Sequence, residues 1–357
     1  MGRTTIHDVA RAAHVSTATV SRVLNGDERV GAEYRMRVEE AVQRLNYHPQ
    51  FSARYTRKGR SGLLAMLLPR MDLDEFRRIA DGAMQEAAAL GRGLLMMSSE
   101  GSSRVERERI AQLSAMPVDG LIYRPVVLTA SHEAVQTQLG IPVVSIYAGG
   151  AAQESWALGW QSAYIAARYL LRIGRRRIAL MVSFREQNVR SIQELDALAA
   201  AGSLEIGVQR YLGYRRALDE AGVPFDASLL LYEGYTQQGG HDAAVELMGR
   251  DLDADAMLCA NDEAALGALI LLREQGIAVP QQISLIGFDN SDICHATSPA
   301  LTSVEIHSME MGRRAVRRLD ALVEGRTPEP EPDPSPELII RASTCAPEAQ
   351  EKAAAAR

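Results

Sequence analysis

Short apolar segments alternate with longer segments of helical periodicity between residues 63 and 345. Ten apolar segments read as strands: Leu63–Leu68, Leu94–Met97, Gly120–Tyr123, Val143–Ile146, Ile178–Val182, Leu229–Tyr232, Met257–Ala260 and Ile283–Gly287, closed by Leu301–Val304 and Leu338–Ile340. Nearly continuous apolar strands separated by helices indicate parallel sheets that are covered on both faces. Because this number of strands is larger than one ordinary domain contains, we predict an α/β body of two lobes. Each lobe has a doubly wound parallel sheet, with the ligand site at the carboxyl ends of the strands.

The first sixty residues have a different pattern, which predicts three short helices. Thr5 and Asp8 have the spacing of a capping box, and apolar residues follow at helical intervals up to Ala13. Ser16 is a good N-cap for a second helix from Thr17 to about residue 25, and a third helix is predicted from residue 32 to about residue 45. Two short helices joined by a tight turn, with a third that supports them, form an all-α helix-turn-helix unit.

The second helix has the composition of a DNA-recognition helix, whose N-terminal part enters the major groove. Ala18 is small enough for close approach and can contact a thymine methyl group, and Arg22 can donate two hydrogen bonds to guanine. The candidate DNA contacts of this unit are Thr5, Ser16, Thr17, Ala18, Thr19, Ser21, Arg22 and Asn25. The alternative for the polar members is helix capping, above all for Thr5 and Ser16, or an ordinary solvated position.

Charge separates the chain into two parts, although the whole carries a net charge of only −6. Residues 1–60 contain 11 lysines and arginines against 6 acidic residues, and the rest of the chain contains 28 against 39. A basic head on an acidic body suggests that the head meets a polyanion. The three cysteines are far apart, no apolar segment approaches the ~20 residues that span a bilayer, and the N-terminus lacks an apolar signal sequence. We therefore expect a cytoplasmic protein with no membrane segment, metal or cofactor.

A series of motifs runs in a fixed order along nearly the whole chain. In the head they are Thr5–Ala10, Val15–Asn25 and Leu45–Pro49, and in the body Val118–Ile122, Ile141–Val144, Arg210–Tyr214, Ala260–Asp262, Ile283–Asp289, Pro299–Thr302 and Leu338–Thr344. This ordered set resembles the lactose/galactose-repressor (LacI/GalR) family of bacterial transcription regulators. The resemblance implies a body that is similar to periplasmic sugar-binding receptors, with three crossings of the chain between the lobes.

The resemblance also implies the domain organisation. Residues 1–49 form the helix-turn-helix domain, residues 50–62 the hinge, and residues 63–345 the effector-binding and dimerisation domain. We expect crossings near residues 158, 290 and 325, so that lobe 1 contains residues 63–157 and 291–324, and lobe 2 contains residues 158–290 and 325–345. Residues 346–357 are expected to be a disordered tail.

The hinge departs from the family at one position. Family members carry a leucine here that wedges between bases in the minor groove, and the resemblance implies that Ala53 and Arg54 contact DNA in the same way. Thr56 stands at the wedge position in this chain. Because insertion depends on an apolar side chain, we predict weaker kinking of the DNA, or a wedge from Tyr55 instead.

Polar residues that follow the predicted strands are candidates for the effector site. The resemblance implies effector contacts for Asp289, Arg210 and Asn261. The alternatives are a capping or turn hydrogen bond for Asp289 and a salt bridge between the lobes for Arg210. Asp262 is expected to cap the helix that follows it.

Two further effector contacts are expected with less support from the residues themselves. Phe76 lies where family members place an aromatic side chain in the pocket, with a core position as the alternative. Leu158 stands where the family usually has an aspartate, and the nearby Gln161 is the candidate to replace that contact. Residues 185–208 are longer than the usual connection of the family, with helical character from Ser191 to Ala201.

The function that these features favour is a ligand-responsive transcription factor, in particular a repressor. A homodimer would present two heads to a pseudo-palindromic double-stranded DNA operator, and a small-molecule effector, a sugar, sugar acid or phosphosugar, would bind between the lobes. A solute-binding receptor without a DNA role is the alternative, but it requires export. An enzyme is not indicated, since the chain has no nucleophile elbow, phosphate-binding glycine loop or metal-ligand spacing.

Overall fold

A computed structural model describes residues 4–24, 27, 29–47, 60–126, 132–146, 153–184, 189–203, 205–250, 253–331 and 334–345. The chain divides into two compact units between Gly62 and Leu63. No helix within these ranges is long and apolar enough to cross a membrane.

The first unit contains the three predicted helices, α1 (Ile6–Ala13), α2 (Thr17–Leu24) and α3 (Ala32–Arg44). Their apolar stripes meet in one small core, which consists of Val9, Ala10, Ala13, Val20, Val23, Val38, Ala41 and Tyr47. The helical periodicity of the sequence therefore identified the three helices, although Leu24 and Tyr34, which were expected on buried faces, are exposed. The predicted helix-turn-helix unit is confirmed.

The second unit contains two sheets, and the first of them defines lobe 1. Its strands are β1 (Leu63–Leu68), β2 (Gly93–Ser98), β3 (Gly120–Tyr123) and β4 (Val143–Ser145), all parallel in the order β2-β1-β3-β4. The helices between them are α4 (Asp74–Ala89), α5 (Ser103–Leu113) and α6 (His132–Leu139). The parallel α/β organisation predicted for this lobe is confirmed.

The second sheet defines lobe 2 and has six strands in the order β10-β9-β8-β7-β5-β6. These strands are β5 (Ile178–Met181), β6 (Leu230–Leu231), β7 (Ala256–Leu258), β8 (Ser284–Phe288), β9 (Thr302–Glu305) and β10 (Glu337–Ile339). The helices in this part of the chain are α7 (Gln153–Arg172), α8 (Ile192–Ala200), α9 (Ile206–Glu220), α10 (Gln237–Gly249), α11 (Asp262–Glu274) and α12 (Ile293–Ala296). They are followed by α13 (Ser308–Val323), which packs in lobe 1. All strands are parallel except β10, which pairs antiparallel with β9 at the edge of the sheet.

Both sheets are covered on both faces, as their apolar composition predicts. In β1, Leu64 and Met66 belong to one buried cluster and Ala65 to another, because successive side chains of a strand point to opposite faces. In β5, Ile178 and Ala179 divide between two clusters in the same way. The inserted segment before α9 contains α8, whose Leu195 is fully buried against lobe 2.

The second crossing between the lobes differs from the prediction. We expected it near residue 290, with residues 291–324 in lobe 1. In the structure β9 pairs with β8, so the chain stays in lobe 2 until residue 305. The short helix α12 returns the chain to the start of the sheet, which allows one more parallel strand before the crossing. Only α13 of the predicted segment packs in lobe 1, where Val316 and Leu319 join the core.

Helices α4 and α13 touch through two glycines. A Cβ atom at Gly82 would lie 1.9 Å from the Met309 carbonyl oxygen, and one at Gly312 would lie 1.9 Å from the Ile79 carbonyl oxygen. Any larger side chain would separate the two backbones. This contact fixes α4, which carries side chains that reach lobe 2, against the C-terminal helix of lobe 1.

Candidate functional site

The N-terminus of α2 forms the exposed surface that the sequence predicted for DNA. The Ser16 hydroxyl accepts a hydrogen bond from the Thr19 amide at 3.1 Å, which starts the helix, and lies 2.9 Å from the Thr19 hydroxyl. Ala18 and Arg22 are exposed, and Thr17 is half-buried. A small residue and an arginine one helical turn apart on the solvent side are the arrangement that a groove-reading helix requires.

Helix α1 begins with the predicted capping box. The Thr5 amide donates to the Asp8 carboxylate at 2.9 Å, and the Asp8 amide donates back to the Thr5 hydroxyl at 3.3 Å. Hydrogen bonds from the side chain and the amide of Thr5 lower the pKa of Asp8. Thr5 therefore has a structural role as the N-cap of α1, and the residue is also exposed to solvent.

The turn between α1 and α2 depends on a residue in the left-handed conformation. His14 has φ 53° and ψ 46°, and its amide closes the end of α1 on the Arg11 carbonyl oxygen. Arg37 of α3 donates to the His14 carbonyl oxygen at 3.4 Å. A histidine accepts this conformation at modest cost, so the tight turn forms without glycine.

Ser21 differs from the prediction, which placed it on the outer face of α2. It is only 5% exposed. Its neighbour Arg22 is exposed. A phosphate contact from Ser21 stays a prediction. Asn25, Ala53, Arg54 and Thr56 lie outside the described residues.

In lobe 2, Arg210 of α9 reaches the carboxyl ends of β7 and β8. Its guanidinium donates to the Ala260 carbonyl oxygen and lies 3.9 Å from the centre of the Phe288 ring. The residue is 8% exposed, and its Nε atom is buried with no hydrogen-bond partner among the residues that the structure describes. Because Asn261 follows Ala260 and Asp289 follows Phe288, one arginine lies beside both of the other predicted effector residues.

Asn261, and not Asp262, caps the helix α11. The Asn261 side chain caps α11 by accepting a hydrogen bond from the Ala264 amide at 2.9 Å. The prediction that Asp262 is the cap is wrong, because Asp262 is the first residue of the helix and turns into the protein. Its carboxylate accepts hydrogen bonds from the Ser291 amide at 2.7 Å and the Ser303 hydroxyl at 2.6 Å. Burial raises the pKa of Asp262 to about 6.

Asp289 begins a loop with an unusual backbone. Asp289 has φ 97° and Asn290 has φ 50°, a region that residues other than glycine rarely enter. The Asp289 amide donates to the Val304 carbonyl oxygen, and the Asn290 amide donates to the Ser303 hydroxyl at 3.0 Å. Burial, followed by the charge of Glu75, raises the pKa of Asp289 well above its ordinary value. The fold thus maintains a strained loop that holds a buried carboxyl group beside Arg210.

Comparison with known proteins agrees with both units. The pattern of bacterial regulatory proteins of the lacI family matches residues 5–50, and that of the periplasmic binding protein-like domain matches residues 167–344. The HTH-type transcriptional regulator GalR of Escherichia coli K12 is 30% identical over 347 residues, with 96% of each chain covered. This chain belongs to the lacI family. The regulator DegA of Bacillus subtilis is 29% identical over 96% of this chain and 98% of its own.

Solved structures give the same result for the architecture of this lacI-family member. The lac repressor dimer bound to operator and the anti-inducer ONPF has a TM-score of 0.80 at 23% identity, over 97% of this chain and 100% of that chain. A complex of the transcriptional regulator CelR with cellobiose has a TM-score of 0.65 at 26% identity, over 96% and 100%. These relatives are regulators of transcription and not enzymes.

Phe76 and Gln161 are the two remaining predicted effector residues. Phe76, in α4, is fully buried in the core of lobe 1 beside Ile79, so the core alternative describes its position. Gln161 is exposed on α7. Among the described residues, no group of three or more histidine, cysteine or acidic side chains could hold a metal ion.

The sequence reasoning did not identify the residues that support the strained loop. Ser303 and Glu305 come from β9, which the prediction did not assign to lobe 2. Arg78 comes from α4, more than 200 residues away, and no local pattern indicates such a contact. One signal was present: Asp289 and Asn290 are the residue types that tolerate left-handed backbone best after glycine.

Proposed function

We propose that this lacI-family regulator is a repressor whose affinity for operator DNA changes when a small molecule binds between its lobes. The observation that carries the proposal is that the buried Arg210 and Asp289 lie near each other at the carboxyl edge of the second sheet. A buried Nε–H without a partner and a buried carboxyl group on a strained loop offer one donor and one acceptor to a ligand. Asn261, next to both, supplies an amide.

Sugars, sugar acids and phosphosugars are the proposed ligand class, because hydroxyl groups both donate and accept hydrogen bonds. A carboxyl group can accept from two neighbouring hydroxyls, and a guanidinium can donate to ring or hydroxyl oxygens. The cellobiose complex of CelR gives a precedent of this chemistry in a relative. Effector contacts of Phe76 and Gln161 stay predictions.

The proposed DNA contacts lie on α2 and in the hinge. Ala18 and Arg22 read base edges in the major groove, while hydroxyl groups of the unit position the phosphate backbone. The phosphate-contacting set comprises Thr5, Ser16, Thr17, Thr19, Ser21 and Asn25. Ala53, Arg54 and Thr56 contact the minor groove, and the absence of an apolar wedge at Thr56 reduces the kink.

A homodimer in the cytoplasm presents two such heads to a pseudo-palindromic operator. The lac repressor dimer on its operator is the precedent for this arrangement. The ligand must bind one conformation of the lobes more tightly than the other, and the coupling is reciprocal. A coupling of ~1–3 kcal/mol changes operator affinity by ~5–150-fold.

Two measurements test the proposal. A thermal-shift screen of sugars, sugar acids, phosphosugars and purines should find a compound that raises the Tm with concentration, and the shift should disappear in Arg210→Met and Asp289→Ala. The same compound should change the affinity for a duplex obtained by binding-site selection. A compound that stabilises these variants as well as the wild type would show that the site lies elsewhere.

A further inference from the structure

Arg78 of α4 extends from lobe 1 to the strained loop of lobe 2. Its Nη1 atom lies 2.5 Å from the Asp289 carbonyl oxygen and 3.0 Å from the Asn290 carbonyl oxygen. Its Nη2 atom lies 3.4 Å from a carboxylate oxygen of Glu305. The side chains of Arg78 and Glu305 are 21% and 11% exposed, so this contact is largely shielded from solvent. One side chain of lobe 1 thus binds three acceptors in lobe 2.

The same loop also has hydrogen bonds within lobe 2, and one of them shares the Glu305 carboxylate with Arg78. The Asn290 side chain donates to Glu305 at 3.0 Å and accepts from Arg341 at 2.6 Å. The Ser291 amide donates to the buried Asp262. These bonds satisfy side chains and amides of the loop, whereas Arg78 is bonded to the two consecutive carbonyl oxygens. A backbone with φ above zero at two residues in succession costs free energy, and it persists only where its surroundings determine it.

We propose that Arg78 is a positioning residue, which joins α4 to the loop that carries Asp289 and makes the two move together. The guanidinium suits this role because its five donors are arranged in a rigid planar fork, which can bind two carbonyl oxygens and a carboxylate at once. A lysine ammonium is a compact charge that cannot reproduce this geometry.

The inference gives α4 a part in the response to the effector, and that part rests on the proposed function. A ligand that moves the Asp289 loop pulls on Arg78, and α4 is fixed to α13 through the contacts of Gly82 and Gly312. Displacement of the loop is therefore transmitted to the helix pair of lobe 1. The positioning role itself needs no ligand and is tested without one.

Hydrogen exchange of the full-length, ligand-free protein measures the loop directly. The amides of Asp289, Asn290 and Ser291 are all hydrogen-bonded, so they should be protected in the wild type. In Arg78→Ala we expect exchange in a peptide spanning residues 285–296 to accelerate about tenfold or more, because a hydrogen bond to a charged group is lost. A peptide spanning β5 is the internal reference for global stability and should be unchanged.

Two further variants separate the fork from charge and packing. Arg77→Ala is the matched control, since Arg77 is the neighbour of Arg78 and its ion pairs, to Asp74 and Asp81, stay within α4. It should leave the loop protected. Arg78→Lys keeps the charge and most of the aliphatic stem, and we expect it to restore less than half of the lost protection.

Full protection in Arg78→Lys would show that charge or packing suffices, and unchanged exchange in Arg78→Ala would show that lobe 2 holds the loop alone; either result overturns the proposal. If Arg78→Ala does not fold, Arg78→Met keeps most of the aliphatic stem, removes only the guanidinium and should accelerate exchange at the loop to a similar extent. Because no ligand is used, these outcomes are independent of the effector screen.

Discussion

The two candidate sites of this protein are built in opposite ways. The DNA-facing surface consists of exposed residues that follow one another along α2, such as Ala18 and Arg22, on a unit with a core of eight buried residues. The effector site consists of buried residues brought together from separate elements, with Arg210 from α9 and Asp289 after β8. A surface of the first kind can change with little effect on folding, whereas a site of the second kind is part of the fold.

This difference teaches where stability and function separate. An exposed arginine contributes little to the free energy of unfolding, so its loss should appear in DNA binding alone. A buried carboxyl group changes both, and the sign depends on its partners. Asp262 is fully hydrogen-bonded in the protein, while Asp289 sits on a strained loop beside other acidic groups. The predictions below use this contrast.

The largest effect is expected from Asp262→Ala. The change leaves the Ser291 amide and the Ser303 hydroxyl without their acceptor and creates a void beside Gly287. We expect a loss of ~3–5 kcal/mol in the free energy of unfolding, measured by urea denaturation. The exposed Asp219→Ala is the control and should change it by less than ~0.5 kcal/mol. A loss below about 1 kcal/mol in Asp262→Ala would contradict the structural role.

Arg22→Ala should separate binding from stability. We expect the affinity for a selected operator duplex to fall by ~5–150-fold, because a base contact of ~1–3 kcal/mol is lost. Urea denaturation should be unchanged within ~0.5 kcal/mol. Arg11→Ala, on the exposed side of α1, is the matched control and should weaken binding less and equally for all sequences. An operator affinity that survives the loss of Arg22 would refute its role.

Asp289→Asn should remove the effector response and yet preserve or increase stability at pH 7. A carboxyl group whose folded pKa is raised keeps its proton at pH values where the unfolded chain has lost it. The free energy of unfolding therefore falls as the pH rises above the ordinary aspartate value near ~4, by up to ~1.4 kcal/mol per pH unit. For Asp262 this fall is expected between about pH 4 and 6.

The variant Asp289→Asn keeps the titration of Asp262 but lacks that of Asp289. Its free energy of unfolding should therefore decline less steeply with pH than that of the wild type. We expect the variant to be more stable than the wild type at pH 7, measured by urea denaturation at a series of pH values. Asp219→Asn, an exposed aspartate of α9, should follow the wild-type curve. Parallel curves for Asp289→Asn and the wild type would mean that Asp289 is not held in the protonated state.

The smallest effect is expected from Thr5→Ala, which removes one half of the capping box. The loss should be ~1 kcal/mol in the stability of the first unit, seen as faster hydrogen exchange in α1. The second unit should be unaffected, since the bonds of Thr5 stay within α1. If DNA affinity falls far more than this stability accounts for, Thr5 also contacts phosphate.

The sequence predicted the fold more fully than the site, for a physical reason. All ten strand segments and the three head helices were located, because apolar periodicity is a local property. The sheet that receives β9 was not predicted, since the return of the chain through α12 depends on tertiary packing. The antiparallel direction of β10 was missed for the same reason.

For the candidate sites, the sequence alone predicted the local features that depend on residues close together in the chain. The Thr5 and Ser16 caps are local, and both are present in the structure. Arg210 and Asp289 were chosen through family resemblance, because nothing in their sequence neighbourhood shows that they meet. The contact of Arg78 with residues 289 and 290 was not predictable, since it joins residues of different lobes that are more than 200 positions apart in the chain.

The place of α13 in the chain has a consequence for synthesis. Lobe 1 begins at residue 63, but the helix that covers α4 ends only at Val323, after nearly all of lobe 2 has been translated. A nascent chain that has released its first four strands still exposes the apolar face of α4, with Ile79 and Ala83. Until the ribosome has passed this last helix, the emerging polypeptide must be shielded by chaperones or by its own later half.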